Sequence, residues 1–175
     1  EPEGAEAMVD YLYLRGMIGI QTLESKELLM EVLLSLMPVK QRKEYETLRC
    51  KQKEEQERLH KKEIRERLSA MCPTFKQKEV QEAIRLLENK MRELPERCLQ
   101  RLVRDVDCRD LAGCVYAFGQ GTRTRVLENL STRYRDMVEE EAVKWAFSDE
   151  EKLLASVNQV MDILERLREM GEVMY

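Results

Sequence analysis

Chemistry-bearing residues are scarce in this sequence. A single histidine, His60, stands among 175 residues, inside a run of charged side chains that reads as a solvated helix face. Zinc-ligand spacing is therefore absent, and no Ser/His/Asp or Cys/His nucleophile set forms around it. The five cysteines, Cys50, Cys72, Cys98, Cys108 and Cys114, are odd in number and contain no CxxC pair. They read as free thiols used as small apolar packers in a reducing compartment, which sets the expected location in the cytoplasm. No glycine-rich phosphate loop is present. The acid-rich stretch 136–141 cannot encircle a hard cation, because adjacent carboxylates on one helix point apart. These shortages predict no catalytic activity, no cofactor and no metal site.

Other shortages bound the fold. Seven Gly and four Pro leave few breakers. No segment alternates with a period of two, which argues against a sheet. No apolar run approaches the ~20 residues that span a bilayer. Charge is nearly balanced, 30 Lys and Arg against 34 Asp and Glu, a net −4. That gives no global pull towards nucleic acid or an anionic membrane. What is plentiful is hydrophobic residues at 43% and charged residues at 37%, the composition of helices with apolar inner and charged outer faces. The opening Glu1-Pro2-Glu3, without Met, is expected of a domain cut from a longer or processed protein.

Periodicity then lays out the helices. Residues 5–15 place Ala5, Met8, Val9, Leu12 and Tyr13 on one face, with Gly16 as the expected stop. Ser25 reads as the cap of a second helix. Its stripe of Leu28, Leu29, Val32, Leu33, Leu36 and Met37 predicts a core element ended by Pro38. From Val39 to about Ala70 apolar residues thin out, and 51–58 (KQKEEQER) is wholly polar. This predicts a long charged helix, continuous or jointed in its middle, with a domain boundary near residue 72. The two regions are thus 1–72, helical with one long charged helix, and 73–175. Acids interleave the bases of the long helix and no aromatics punctuate them, so a solvated face outweighs a phosphate-binding stripe.

The second region is dense in start signals. Thr74 with Gln77 reads as a capping box before the stripe Phe75, Val80, Ala83, Ile84, Leu87 and Met91. Pro95 opens a helix carrying Leu99, Leu102, Val103 and Val106. Asp107 caps the next, with Leu111, Val115 and Tyr116 inward, and 119–121 (GQG) breaks it. A short helix carries Val126, Leu127 and Leu130. Ser131 caps one with Tyr134, Met137, Val138 and Trp145. Residues 148–151 (SDEE) read as a capping box for the strongest stripe, Leu153, Leu154, Val157, Val160, Met161, Leu164 and Leu167, which Gly171 ends. The fold class is all-α, built of short helices.

These residues also carry a resemblance. Leu99-Gln100, Arg104-Asp105-Val106-Asp107 and Leu111 resemble the opening of the C-terminal domain of the flagellar motor switch protein FliG. Residues 127–133 (LENLSTR) resemble that family's "NMSxRA" step, and 137–141 its following "LxxDL" helix. Residues 163–173 (ILERLREMGEV) resemble its closing "IxRRLEExGEI". The four motifs keep the family's order over about 80 residues. The resemblance implies an armadillo-like, superhelical short-helix domain of the rotor (the cytoplasmic C-ring), peripheral to the inner face of the cytoplasmic membrane. It implies a non-catalytic part in bacterial motility and chemotaxis, with switch and rotor proteins and the stator as partners, and self-association beside them. By position it makes Arg133 a basic member, and Glu140 and Glu141 the acidic pair, of a charged partner-binding ridge.

Departures from the family are equally specific. Tyr116 stands where a basic residue is expected. The "GPVR" loop is replaced by 145–149 (WAFSD), which sets Asp149 in place of a base and adds Trp145 and Phe147 as candidates for an exposed partner site. The reading is of a divergent FliG-like paralogue. Two other readings stand beside it: a helical adaptor using the same fold in another assembly, and a regulatory domain similar to the N-terminal domain of MgtE-type magnesium transporters.

Overall fold

The computed structural model describes residues 2–22 and 25–173, and of residues 2–6 and 21 the backbone alone. Among the described residues nine α-helices follow in order and no strand occurs. They are α1 (Pro2–Gln21), α2 (Lys26–Leu36), α3 (Val39–Ala70), α4 (Lys78–Glu93), α5 (Glu96–Asp105), α6 (Cys108–Ala117), α7 (Gln120–Glu128), α8 (Thr132–Lys144) and α9 (Glu150–Glu169). A 3-10 turn, Trp145–Phe147, joins α8 to α9. Packing divides the chain into two compact units, Glu1–Glu57 and Arg58–Tyr175.

The first unit is the hairpin of α1 on α2 with the start of α3. Ser25 caps α2, its hydroxyl accepting from the Leu28 N–H at 3.2 Å. Gly16 does not stop α1, which runs through it to Gln21. A terminating glycine takes a positive φ, and Gly171 is the described glycine that does. The core role that its stripe predicts for α2 is barely realised: among the described side chains of this unit, Leu34 is the one large hydrophobic that is buried.

Of the two readings of the long helix, the continuous one is observed, with residues 51–58 and His60 all exposed. Its last turns bury Ile64 and Leu68 in the second unit. Packing therefore assigns the end of α3 to the C-terminal helices, whereas the sequence boundary near 72 leaves it outside them.

In the second unit, α6 packs on both α8 and α9, and α4 packs on α9. Leu111, Ala112, Gly113, Cys114 and Val115 of α6 are all buried, as a helix without charge beyond its first turn allows. The periodic stripes of α4 and α9 close the core as their spacing predicts. Asp107 accepts from the Arg109 N–H at 2.8 Å, and Ser131 from the Tyr134 N–H at 3.4 Å. Gly171 ends α9 with φ 72°.

Two expected capping boxes are replaced by a single tertiary contact. Helix α4 begins at Lys78, so Thr74 lies ahead of its cap, and Asp149 caps α9 without a side-chain bond. Instead the Glu150 carboxylate accepts from the N–H groups of Lys76 and Gln77, each at 2.9 Å. An anion at the positive end of α4 does the work that Thr74 and Gln77 were expected to do. These backbone hydrogen bonds hold the Glu150 carboxyl below its usual range. A depressed carboxyl contributes stability above its unfolded pKa and loses it as pH falls through the folded one. Between about pH 6 and about pH 3, the melting temperature of the wild type should therefore fall more steeply than that of Glu150→Gln. Circular-dichroism melts at a series of pH values check this, and parallel curves would remove Glu150 from the account.

The polar helix α7 ties the unit together through two arginines. Arg123 is buried and donates to carbonyls at the ends of two helices. They are Leu68 and Met71 at the end of α3, and Val115, Tyr116 and Phe118 at the end of α6. Arg125 donates to the carbonyls of Met91, Arg92 and Leu94 at the end of α4. Helix C-termini leave such carbonyls without partners, at the negative end of the helix dipole.

Candidate partner-binding site

Helix α8 (TRYRDMVEEEAVK) carries charge on two sides, and the two have different fates. One side faces the end of α3. Glu139 is buried; Arg65 Nε donates to its Oε2 and Arg135 Nε to its Oε1, both at 2.8 Å. Asp136 receives Arg65 Nη2 at 3.0 Å and Lys61 Nζ at 2.7 Å. The hydrogen bond to Glu139 raises the Arg65 pKa against the opposing pull of burial, and the charges of Glu139 and Asp136 add to it. A buried carboxylate needs such partners, so these acids serve the docking of α3 and are spent within the fold.

The other side is a stripe. Arg133, Met137, Glu140, Glu141 and Lys144 recur at the spacing of one helix face. Glu141 is half-buried and the rest are exposed. Lys144 Nζ donates to Glu141 Oε2 at 2.6 Å, which raises the amine's pKa. Arg133 and Glu140 make no ion pair among the described residues. Beside the stripe, a hollow of about 290 Å³ runs to the start of α6, where Asp107, Cys108 and Arg109 line it. Burial, then the Asp107 charge, push the Cys108 thiol up, so it is held as the unreactive protonated form.

The remaining candidates scatter. Tyr116 is half-buried, edge-on to Phe75 with ring centroids 6.4 Å apart; burial raises its phenol pKa. Trp145 is only 5% exposed and lies over Gly113 of α6, so it is corrected from a surface residue to a core one. The 3-10 turn makes the difference: it directs the indole inward and leaves Phe147 outward, 91% exposed. Asp149 is exposed and paired with Lys152 at 3.3 Å. The structure thus gathers Glu140 and Glu141 with Lys144, sets Arg133 on the same face, and leaves Tyr116 and Trp145 to packing. Arg65, Lys61 and Glu139, which decide which acids remain available, are absent from the sequence reading. Their signal is the position of Glu139 beside Val138 on the buried side of α8.

Among the described residues no group of three His, Cys, Asp or Glu side chains is placed to hold a metal ion, and no helix is long and apolar enough to cross a membrane. A larger hollow of about 550 Å³ beside the start of α8 has Arg104 as its one charged lining residue. Its amides Gln100 and Asn129 already bond each other at 3.2 Å.

An all-α domain of short helices, one of which presents a charged stripe, is the class that this architecture defines. The family model for the FliG C-terminal domain matches residues 77–175, more than half of the chain. The chain belongs to the FliG C-terminal domain family. That family is a structural, non-enzymatic component of the bacterial flagellar motor switch, on its cytoplasmic side, and works by contact with other switch and rotor proteins. No curated protein and no solved structure matches the chain.

Proposed function

We propose that the outward stripe of α8, Arg133 with Glu140 and Glu141, is the partner-binding ridge of a flagellar rotor subunit, which engages switch proteins and the stator. The observation that carries this reading is the split of α8: Asp136 and Glu139 are neutralised by Lys61 and Arg65, while Arg133 and Glu140 stand exposed without an ion pair. Exposed opposite charges on one face steer a complementary partner and set its register, with little net affinity from each pair. Phe147, exposed beside Asp149, adds an apolar contact at the end of the same helix. In this reading 73–175 is the rotor domain, 1–72 is the helical region before it, and the protein acts without catalysis or cofactor at the inner face of the cytoplasmic membrane.

Charge reversal tests it. In flagellated cells carrying the full-length protein, Arg133→Glu, and separately Glu140→Lys with Glu141→Lys, should abolish swimming and co-precipitation of switch and stator proteins. The melting temperature of Arg133→Glu should stay within a few degrees, since Arg133 is an exposed charge. Capture by the wild type should also weaken with added salt. Normal swimming with undiminished capture would overturn the ridge. Capture of non-flagellar proteins, unaffected by either variant, would favour the adaptor reading instead.

A further inference from the structure

Between the end of α3, helix α7 and the inner side of α8 lies a hollow of about 140 Å³. Three guanidinium groups line it, one from each helix: Arg65, Arg123 and Arg135. Glu139 is the one carboxylate of the lining. Both of its oxygens are taken, Oε2 by Arg65 and Oε1 by Arg135. Lys61 and Asp136 extend the network on the α3 side. Four bases then face two acids, a surplus of two positive charges in a chain whose net charge is −4. The surplus centres on Arg123, which is buried and has carbonyls, not carboxylates, as its partners. Burying a cation is costly without an opposite charge. A guanidinium carries five N–H groups. In Arg123, Nε donates to Val115, Nη2 to Met71, Tyr116 and Phe118, and Nη1 to Leu68, which leaves one Nη1 hydrogen over. Arg135 donates through Nε, and Arg65 through Nε and Nη2, so both keep further donors. Thr124 and Gln120 also line the hollow, and their side chains make no hydrogen bond among the described residues.

We propose that this hollow binds a phosphate dianion, free or as a monoester, with Arg65, Arg123 and Arg135 on its oxygens and Thr124 at the rim. Charge selects the class. A phosphoryl group carries about −1.5 to −2 at neutral pH, which matches a surplus of two, whereas a carboxylate brings one charge. Geometry selects it too: a monoester offers three strong acceptor oxygens, and three planar forks reach the hollow from three helices. A phosphodiester has two free oxygens and one charge, so a nucleic-acid backbone fits the site less well. Size sets the limit. About 140 Å³ holds a handful of waters, and so one tetrahedral group. It falls short of the roughly 300–1,000 Å³ of pockets that enclose a whole small molecule. Whatever carries the phosphoryl group therefore stays outside. Bound there, the anion joins α3, α7 and α8, the elements that Arg123 and Glu139 already tie.

The test uses the whole chain, melted in a buffer free of phosphate and sulfate, with ionic strength held constant by sodium chloride. Added inorganic phosphate should raise the melting temperature along a saturable curve, by roughly 4–8 °C at ten times its Kd. The Nε–H resonances of Arg65, Arg123 and Arg135 should shift along the same curve. Thr124→Glu sets a carboxylate at the rim from an exposed position, so it should fold as the wild type does and lose the response. Arg135→Gln keeps a donor for Glu139 and should weaken binding at least tenfold. Arg85→Gln, exposed on α4 and outside the lining, should respond as the wild type does. The peptide acetyl-Gly-Gly-phosphoserine-Gly-Gly-amide, beside its unphosphorylated form, separates the sources. Binding at least tenfold tighter than inorganic phosphate assigns the hollow to a modified side chain, and equal or weaker binding assigns it to the free ion. No saturable shift with either probe would overturn the proposal. So would a rise that never saturates, or one undiminished in either Thr124→Glu or Arg135→Gln, because phosphate also stabilises proteins generally through exclusion from their surfaces. The outward stripe of α8 contributes no residue to the hollow, so this inference and the ridge can fail separately.

Discussion

Arg123→Met should lower the stability of the second unit by about 3–5 kcal/mol, and its melting temperature by roughly 10–20 °C. The guanidinium is buried, and burial lowers its pKa, yet an arginine stays charged at any working pH. No carboxylate faces it among the hydrogen bonds it makes. Its donors go to the carbonyls of Leu68 and Met71, and of Val115, Tyr116 and Phe118. Those oxygens close two helices, α3 and α6, and carry the negative end of two dipoles; Leu68 also accepts from the Met71 N–H at 3.3 Å. Methionine fills the volume and supplies no donor, which leaves several buried acceptors unmet. Arg123→Lys should recover only part of the loss, since one ammonium cannot reach both helix ends as the planar fork does. Thermal melts of the three proteins decide the matter. A methionine variant melting within about 2 °C of the wild type would show that water satisfies those carbonyls.

Arg123 also marks where sequence reading reaches its limit. The stripes of α4, α5 and α9 are legible because leucine, valine and isoleucine at helix spacing have one stable use, burial against a neighbour. Local caps such as Ser25, Asp107 and Ser131 are legible because donor and acceptor lie within three residues. Arg123 shares the face of Val126, Leu127 and Leu130, and its charge reads as solvated until a second helix end arrives to meet it. Glu150 is the same case: its partners lie more than 70 residues away at Lys76 and Gln77, so the sequence shows a local capping box and the fold uses the carboxylate elsewhere. Of the proposed ridge, Arg133, Glu140 and Glu141 come from the resemblance to the family's motifs, since charge and periodicity alone mark them as an ordinary helix face. That Asp136 and Glu139 are withdrawn from the surface depends on Lys61 and Arg65, at the end of a helix whose composition reads as wholly solvated.

Trp145 and Phe147 provide the second large effect, and they should separate stability from binding. Trp145→Ala should cost about 3–5 kcal/mol, because the indole is buried and covers Gly113 in the middle of the buried run of α6. A Cβ at Gly113 would stand 3.1 Å from Trp145 Cε2 and Cζ2, so glycine is what lets the ring lie flat on the helix. Gly113→Ala gains up to about 1 kcal/mol of helix propensity and must push the indole by a few tenths of an ångström. Phe147→Ala removes a ring that is almost wholly in water and should leave melting within about 1 °C. Below both melting temperatures, Trp145→Ala should still capture the partners of the ridge, while Phe147→Ala should capture less. The reverse pattern would mean that the indole, and not the exposed ring, meets the partner. In that case the 3-10 turn would have to open on binding, exposing Gly113 and the middle of α6.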